Sequence, residues 1–270
     1  MGNKKHNDNQ RFSDMTTWLH TPLGKNLLGT EFSLLKNMID RRFGYHLLQL
    51  SCADIAVYRD SPIGHKFCMT PSTKVKNGGL VAEAEAISLV SESVDLVVLH
   101  HVLDYSVDPH QLLREADRVL IAGGHMLIIG FNPFSTWGVR HKLGRKFDNS
   151  PWESNLFSSM RLSDWLKLLD FKVEQVQYGL HSLPINSPRL IRYSSFVGKL
   201  AQRLNWPTGG IYVISAKKQV LPMTPIREPW KDISRKARDL ALGENVNIAA
   251  SQPQKKHCIN EYYGINQDCE

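Results

Sequence analysis

The period of the apolar positions changes along this chain, and each change predicts an element. From Trp18 to Arg42, Leu19, Leu23, Leu27, Leu28, Phe32, Leu35, Met38 and Ile39 recur at steps of three and four. That spacing predicts a helix with one apolar face. Pro22-Leu23-Gly24 is expected to interrupt it and Gly44 to cap its end. The pattern then becomes continuous. Tyr45–Leu50 predicts a strand buried on both faces, followed by a weaker one at His65–Thr70, stopped by Pro71. A Gly78-Gly79 turn precedes a short strand at Leu80–Ala82, and Val94–Leu99 is the most apolar strand of all. Strands buried on both faces belong to parallel sheets covered by helices.

Helical spacing returns after Asp108-Pro109, with Leu112, Leu113, Ala116, Val119 and Leu120 on one face. Asp suits the cap and Pro the first turn. Gly123-Gly124 is expected to end this helix before a strand at His125–Phe131. A helix from Ser163 to Asp170 and late strands at Phe171–Tyr178 and Gly210–Lys217 follow. Between the late strands lies an insert, 179–209, with three prolines and an amphipathic portion around 190–204. The alternation predicts an α/β fold: a doubly wound, mostly parallel, seven-stranded sheet closed by a late antiparallel hairpin. The domain spans 15–220. Residues 1–14 read as a disordered N-terminus and 221–270 as a polar, flexible tail, in which KDISRKARDLAL has the makings of a short helix.

Composition removes several classes of function. No run of about 18 apolar residues exists, so no membrane span is expected, and the polar start MGNKKHNDNQRFSD has no apolar stretch for export. Four cysteines, Cys52, Cys68, Cys258 and Cys269, lack metal-ligand spacing. Reduced thiols in the cytoplasm are the expectation, and no metal is predicted. The net charge of +7 is uneven: 13 Lys/Arg against 5 Asp/Glu over 138–218, and 6 against 10 over 51–137. The basic segment suits either an anionic partner such as RNA or plain solvation. Motifs for a P-loop, a nucleophile elbow, a zinc protease or a dinucleotide fingerprint are absent.

Candidate chemistry gathers at strand ends, where open α/β sheets bind ligands. His100-His101 end the most apolar strand, and Asp104 and Tyr105 follow. The run Ala82-Glu83-Ala84-Glu85-Ala86-Ile87-Ser88-Leu89, then Ser93-Val94-Asp95-Leu96-Val97, then His100-His101-Val102-Leu103-Asp104, resembles the fourth-strand region of class I S-adenosylmethionine-dependent methyltransferases. The branch is the one labelled type 11. Asp108–Leu120 and Gly123–Ile128 match the family's next helix and strand. The resemblance is firm over 44–132 and looser over 18–220.

That resemblance implies S-adenosyl-L-methionine as cofactor and a methyl acceptor, expected to be a small molecule. It implies that Ser51, Cys52 and Ala53 approach the amino-acid end and that Thr70 lies at the ribose. Glu83 and Ala84 stand at the adenine, and Leu99, His100 and His101 line the cleft. The loop Gly130–Gly138 stands where substrate meets the methyl group, with Asn132, Phe134 and Trp137 as its wall; a packed turn with buried aromatics reads equally well. Two family features are missing. Gln49-Leu50-Ser51-Cys52-Ala53-Asp54 replaces an acid and a glycine-rich turn, and Met69-Thr70-Pro71 replaces the ribose acid. Two functions therefore stay open: an active methyltransferase, or an inactive descendant that binds or regulates, with RNA contact through 138–218 as one form.

Overall fold

The computed structural model describes residues 14–53, 55–70, 80–81, 86–144, 155–181 and 206–220. The chain divides into two units, Met1–Leu221 and Pro222–Glu270. The second unit, with the expected tail and its KDISRKARDLAL stretch, lies outside the described residues, as do 1–13 and the 190–204 portion of the insert.

Seven strands form one sheet: β1 His46–Ser51, β2 His65–Thr70, β3 Leu80–Val81, β4 Val94–His100, β5 Leu120–Phe131, β6 Phe171–Gly179 and β7 Ile211–Lys218. Their order is β3-β2-β1-β4-β5-β7-β6. The first five run parallel, while β7 is antiparallel to both β5 and β6. This is the Rossmann-like sheet with a closing hairpin that the alternation predicts. Side chains alternate between two cores, as period-2 geometry requires. Leu47, Leu96, Val98, Leu127 and Ile129 point to one face and pack with helix α1, Pro22–Ile39. Leu48, Leu50, Val97, Leu99, Met126 and Ile128 point to the other, against α3, Pro109–Val119, and α5, Ser159–Leu168. A short α2, Val102–Tyr105, and α4, Thr136–Gly144, sit at the exits of β4 and β5.

Several boundaries differ from expectation for local reasons. Pro22 does not break the first helix; it opens it. Thr21 caps this helix by accepting from the Gly24 backbone N–H at 3.2 Å. Gly24 packs where a Cβ would lie 2.5 Å from the Leu19 Cα, so the helical segment 14–19 can fold back closely. Asp14, expected to belong to the N-terminal 1–14 segment, is helical. Gly44 is no helix cap: α1 ends at Ile39 with Asp40 as cap. A Cβ on Gly44 would meet the Asp95 Cβ at 2.4 Å. The Asp95 carboxylate accepts from the Tyr45 and His46 backbone N–H groups at 2.9 Å each, fixing where β1 begins beside β4.

Gly123-Gly124 does not end α3, which passes directly into β5 at Leu120. The pair lies in an irregularity where β4 advances from Val94 to Leu96 while β5 advances from Leu120 to His125. Gly123 supplies the left-handed conformation there, with φ +77°. Helix α5 begins at Ser159, four residues before the expected Ser163. Ser158 caps it, accepting from the Arg161 N–H at 3.3 Å.

Candidate functional site

The parallel register brings three strand ends together. Ser51 stands beside His100 across β1 and β4, Leu50 beside Met69 across β1 and β2, and Thr70 beside Val81. Residues 51–53, Thr70 and the His100-His101 pair thus share the carboxyl edge of the sheet. The Cys52 N–H donates to the His100 carbonyl at 3.2 Å, tying the β1 turn to the end of β4.

Side chains hold the β1 turn in place of glycines. Fully buried Gln49 donates from its carboxamide to the Ile55 carbonyl at 2.5 Å and accepts from the Val57 N–H at 2.9 Å. The Ser51 hydroxyl oxygen accepts from the Ala53 N–H at 3.2 Å. Cys52 and Ala53 pack inward with the α1-side core. Burial, with the nearby Asp104 and Glu31 carboxylates, pushes the Cys52 thiol well up, so it stays protonated.

Beneath this turn lies a fully buried polar network. Glu31 of α1 sits on the apolar stripe between Leu27 and Leu35 and reaches both histidines. Its Oε2 lies 3.1 Å from the His100 Nε2 and its Oε1 2.7 Å from the His101 Nε2. His101 Nδ1 lies 3.1 Å from the Asp104 carboxylate, which also accepts from the Phe131 N–H at 3.2 Å. His100 Nδ1 lies 2.9 Å from the Ser51 hydroxyl. The partners assign the protons. His101 faces carboxylate oxygens on both nitrogens, so both carry hydrogen and the ring is an imidazolium. His100 donates from Nε2 to Glu31 and accepts at Nδ1 from Ser51, so it is neutral.

The electrostatics agree. Burial alone would lower His101, but the Glu31 and Asp104 carboxylates outweigh it and lift the ring to about 9. Burial would raise Glu31, yet the His101 charge and both imidazole hydrogen bonds hold it at about 2. Burial lowers His100 despite Glu31. Asp104 rises through burial even though it pairs with His101. The shorter bond explains the asymmetry: the imidazolium leans on Glu31. His101 also holds the left-handed backbone at φ 53°, which costs about 1–3 kcal/mol in a residue with a Cβ. Its ring stacks on Phe131 with centroids 4.2 Å apart, and its backbone N–H reaches the Ile129 carbonyl at 3.0 Å.

Glu31, His100 and His101 each offer a ligand atom within 4.8 Å of the others, a donor set of a kind that binds divalent cations. Metal ligation needs a neutral imidazole with a free lone pair. The doubly protonated His101 has none, and the carboxylate oxygens are each occupied by one ring. With both rings on its oxygens, the Glu31 carboxylate makes an ion-pair fork, and a cation would have to displace the His101 proton to bind here.

The other predicted residues have distinct places. Leu99 packs in the core toward α3. Glu83 and Ala84 lie outside the described residues. Segment 86–91, which follows them, is held by α3. Arg118 donates to the Ile87 and Leu89 carbonyls at 2.7 and 2.9 Å, and Glu115 accepts from the Ile87 N–H at 3.2 Å. Asn132 donates to the Pro207 and Gly209 carbonyls at 2.8 and 2.9 Å and accepts from the Phe134 N–H at 3.1 Å. It stitches the β5 exit to the start of β7. Trp137 is buried, edge-on to Trp18 at 6.2 Å. Phe134 is 75% exposed. Sequence reasoning missed Glu31, Gln49 and Arg118. The signal for Glu31 was a carboxylate in the middle of an apolar helix stripe.

The profile of a methyltransferase domain matches residues 48–128. Over 226 residues, the chain is 31% identical to the protein YafS of Escherichia coli, covering 82% of this chain and 87% of YafS. The chain belongs to this methyltransferase family. It is the type 11 branch of the class I S-adenosylmethionine-dependent methyltransferases, and the cofactor is S-adenosylmethionine. A protein of Mycobacterium tuberculosis, Rv2003c, is 29% identical over 177 residues, 62% of this chain and 60% of its own. Among solved structures, an S-adenosylmethionine-dependent methyltransferase of Thermotoga maritima aligns at TM-score 0.56 and 18% identity, covering 71% of this chain and 89% of that one. A methyltransferase of Haloferax volcanii, solved with its Trm112 activator, aligns at TM-score 0.54 and 16% identity, over 77% and 97%. These likenesses show the fold. Among the described residues no helix is long and apolar enough to cross a membrane.

Proposed function

We propose that this methyltransferase is an active enzyme that methylates a small-molecule acceptor in the cytoplasm. The observation that carries the reading is the β1 turn. Its glycines are gone, yet its backbone is held by Gln49 and Ser51 while the Cys52 and Ala53 side chains are buried. With those side chains turned inward, the backbone is left to meet the amino-acid end of the cofactor. Thr70, buried at the end of β2, offers a hydroxyl where the family has a carboxylate. A hydroxyl both donates and accepts, so it suits a ribose hydroxyl, with fewer contacts than an acid gives. Glu83 and Ala84 would take the adenine. Leu99 supports the cleft floor from the core, and the His100-His101 turn closes it.

When bound, the cofactor supplies an electrophilic methyl group on a sulfonium. The protein's part is alignment, which is worth about 7–11 kcal/mol in well-oriented reactions. His101 is sealed between two carboxylates and His100 between Glu31 and Ser51, so neither is free to act as a base on substrate. They position. Phe134 is the exposed member of the expected substrate wall, while Asn132 and Trp137 shape the loop that carries it.

Incubation with methyl-tritiated S-adenosylmethionine and a fractionated small-molecule extract tests the proposal. It predicts label in a low-mass fraction together with S-adenosylhomocysteine. Cofactor binding without turnover in any fraction would favour the second reading, a binding or regulatory protein, which draws on the lost glycines and ribose acid. RNA contact through 138–218, of which 145–154 and 182–205 lie outside the described residues, would show as steeply salt-dependent binding.

A further inference from the structure

We propose that Glu31 is a positioning residue for the cofactor turn, acting through His100 and Ser51. This rests on the reading that residues 51–53 meet the cofactor. The chain of contacts is continuous and directional. The Ala53 N–H donates to the Ser51 oxygen at 3.2 Å, the Ser51 O–H donates to His100 Nδ1 at 2.9 Å, and His100 Nε2–H donates to Glu31 at 3.1 Å. Each member fixes the hydrogen of the next. Glu31 accepts on Oε2, so His100 must carry its proton on Nε2. Nδ1 is then a bare acceptor, and the Ser51 hydroxyl must turn its hydrogen toward it. That leaves the Ser51 lone pairs facing Ala53. In a family whose turn is ordinarily built on glycines, this chain sets the turn from a helix 20 residues upstream.

The carboxylate is specifically required because it accepts twice. His101 takes the other oxygen at 2.7 Å. A glutamine at 31 has one oxygen, which the imidazolium would claim. Its NH2 would then face His100 Nε2 and force the proton onto Nδ1, where it would displace the Ser51 hydrogen. Glu31→Gln is thus nearly isosteric and reverses the relay.

The test uses the full chain with 15N-labelled histidine and backbone. Wild type is expected to show His100 protonated on Nε2 alone and a slowly exchanging Ala53 amide. In Glu31→Gln the His100 proton moves to Nδ1 and donates to Ser51, whose own hydrogen turns away from the ring and competes with the Ala53 N–H, so Ala53 exchange rises by up to about tenfold, the loss of one hydrogen bond. S-adenosylmethionine affinity, by calorimetry, falls about tenfold in Glu31→Gln and in Ser51→Ala. The double variant is no worse than either single one, because all act on one turn. An unchanged His100 tautomer and Ala53 exchange in Glu31→Gln, or additive losses in the double variant, would overturn the relay. If wild type binds no cofactor, the tautomer and exchange data still decide the relay, and only the methyltransferase reading fails. If Glu31→Gln does not fold, His100→Gln carries the exchange test of the relay, with Ser51→Ala as the reference for complete loss of the Ala53 hydrogen bond, and the wild-type His100 tautomer tests the Glu31 contact.

Discussion

Exchanging Glu31 for leucine tests the buried network most severely. The substitution keeps volume and helix propensity but removes the acceptor of two imidazoles, at 2.7 and 3.1 Å, inside a fully buried cluster. It strands the His101 cation beside Asp104 alone. Removing one partner of a buried charge pair costs about 3–5 kcal/mol. The shifts expected of the two groups point to the same scale. Glu31 moves from 4.5 to about 2 and His101 from 6.5 to about 9, each roughly 3 kcal/mol at about 1.4 kcal/mol per pH unit. They are two views of one interaction and do not add.

The sign fixes the window. The raised His101 stabilises fully below 6.5, and its contribution is lost as pH rises through about 9. Between pH 6.5 and pH 9 wild type should lose about 2–3 kcal/mol. Glu31, lowered, is lost only as pH falls from 4.5 toward about 2, outside that window. The lowered His100 acts on the acid side of 6.5, and the raised Asp104 acts above 3.8. Urea denaturation followed by tryptophan fluorescence at both pH values measures the difference. Glu31→Leu should be less stable by about 3 kcal/mol at pH 6.5 and nearly flat to pH 9. A wild type whose stability does not change across that window, or a variant within about 1 kcal/mol of it, would refute the ion-pair assignment.

Other outcomes follow from single contacts. Gly210→Ala would place a Cβ 2.6 Å from the Trp137 ring, so thermal melts should show a loss of about 1–3 kcal/mol. Arg118→Ala frees the Ile87 and Leu89 carbonyls; calorimetry should show weaker S-adenosylmethionine binding, with stability changed by less than about 1 kcal/mol. Phe134→Ala, at an exposed position, should leave the melting temperature unchanged and alter KM for the acceptor once that acceptor is known. Zinc should not raise the melting temperature, because His101 keeps both protons; a saturable rise would reassign the Glu31-His100-His101 cluster as a metal centre.

Most of the sheet is legible in the sequence because continuous apolar runs admit few arrangements. Val94–Leu99 and His125–Phe131 cannot bury both faces except between helices. Boundaries were less legible where glycine and proline carry more than one role. Pro22 serves a helix start, Gly44 a close approach to Asp95, and Gly123-Gly124 an irregular stretch inside β5. The site was half legible. His100 and His101 announce themselves at the end of a strand. What they do is decided by Glu31, 69 and 70 residues away, and no local pattern shows that contact. The missing glycines are visible in the sequence, but not their replacement. Gln49 reaches six and eight residues along the chain to hold Ile55 and Val57, a pairing only the folded turn reveals.

The most direct measurement is calorimetric titration of the purified protein with S-adenosylmethionine and S-adenosylhomocysteine, alongside Glu83→Ala. Micromolar binding that weakens in Glu83→Ala is the predicted result: a turn without glycines that still holds the cofactor. No heat at millimolar ligand would contradict the enzyme reading and leave a methyltransferase fold in another service.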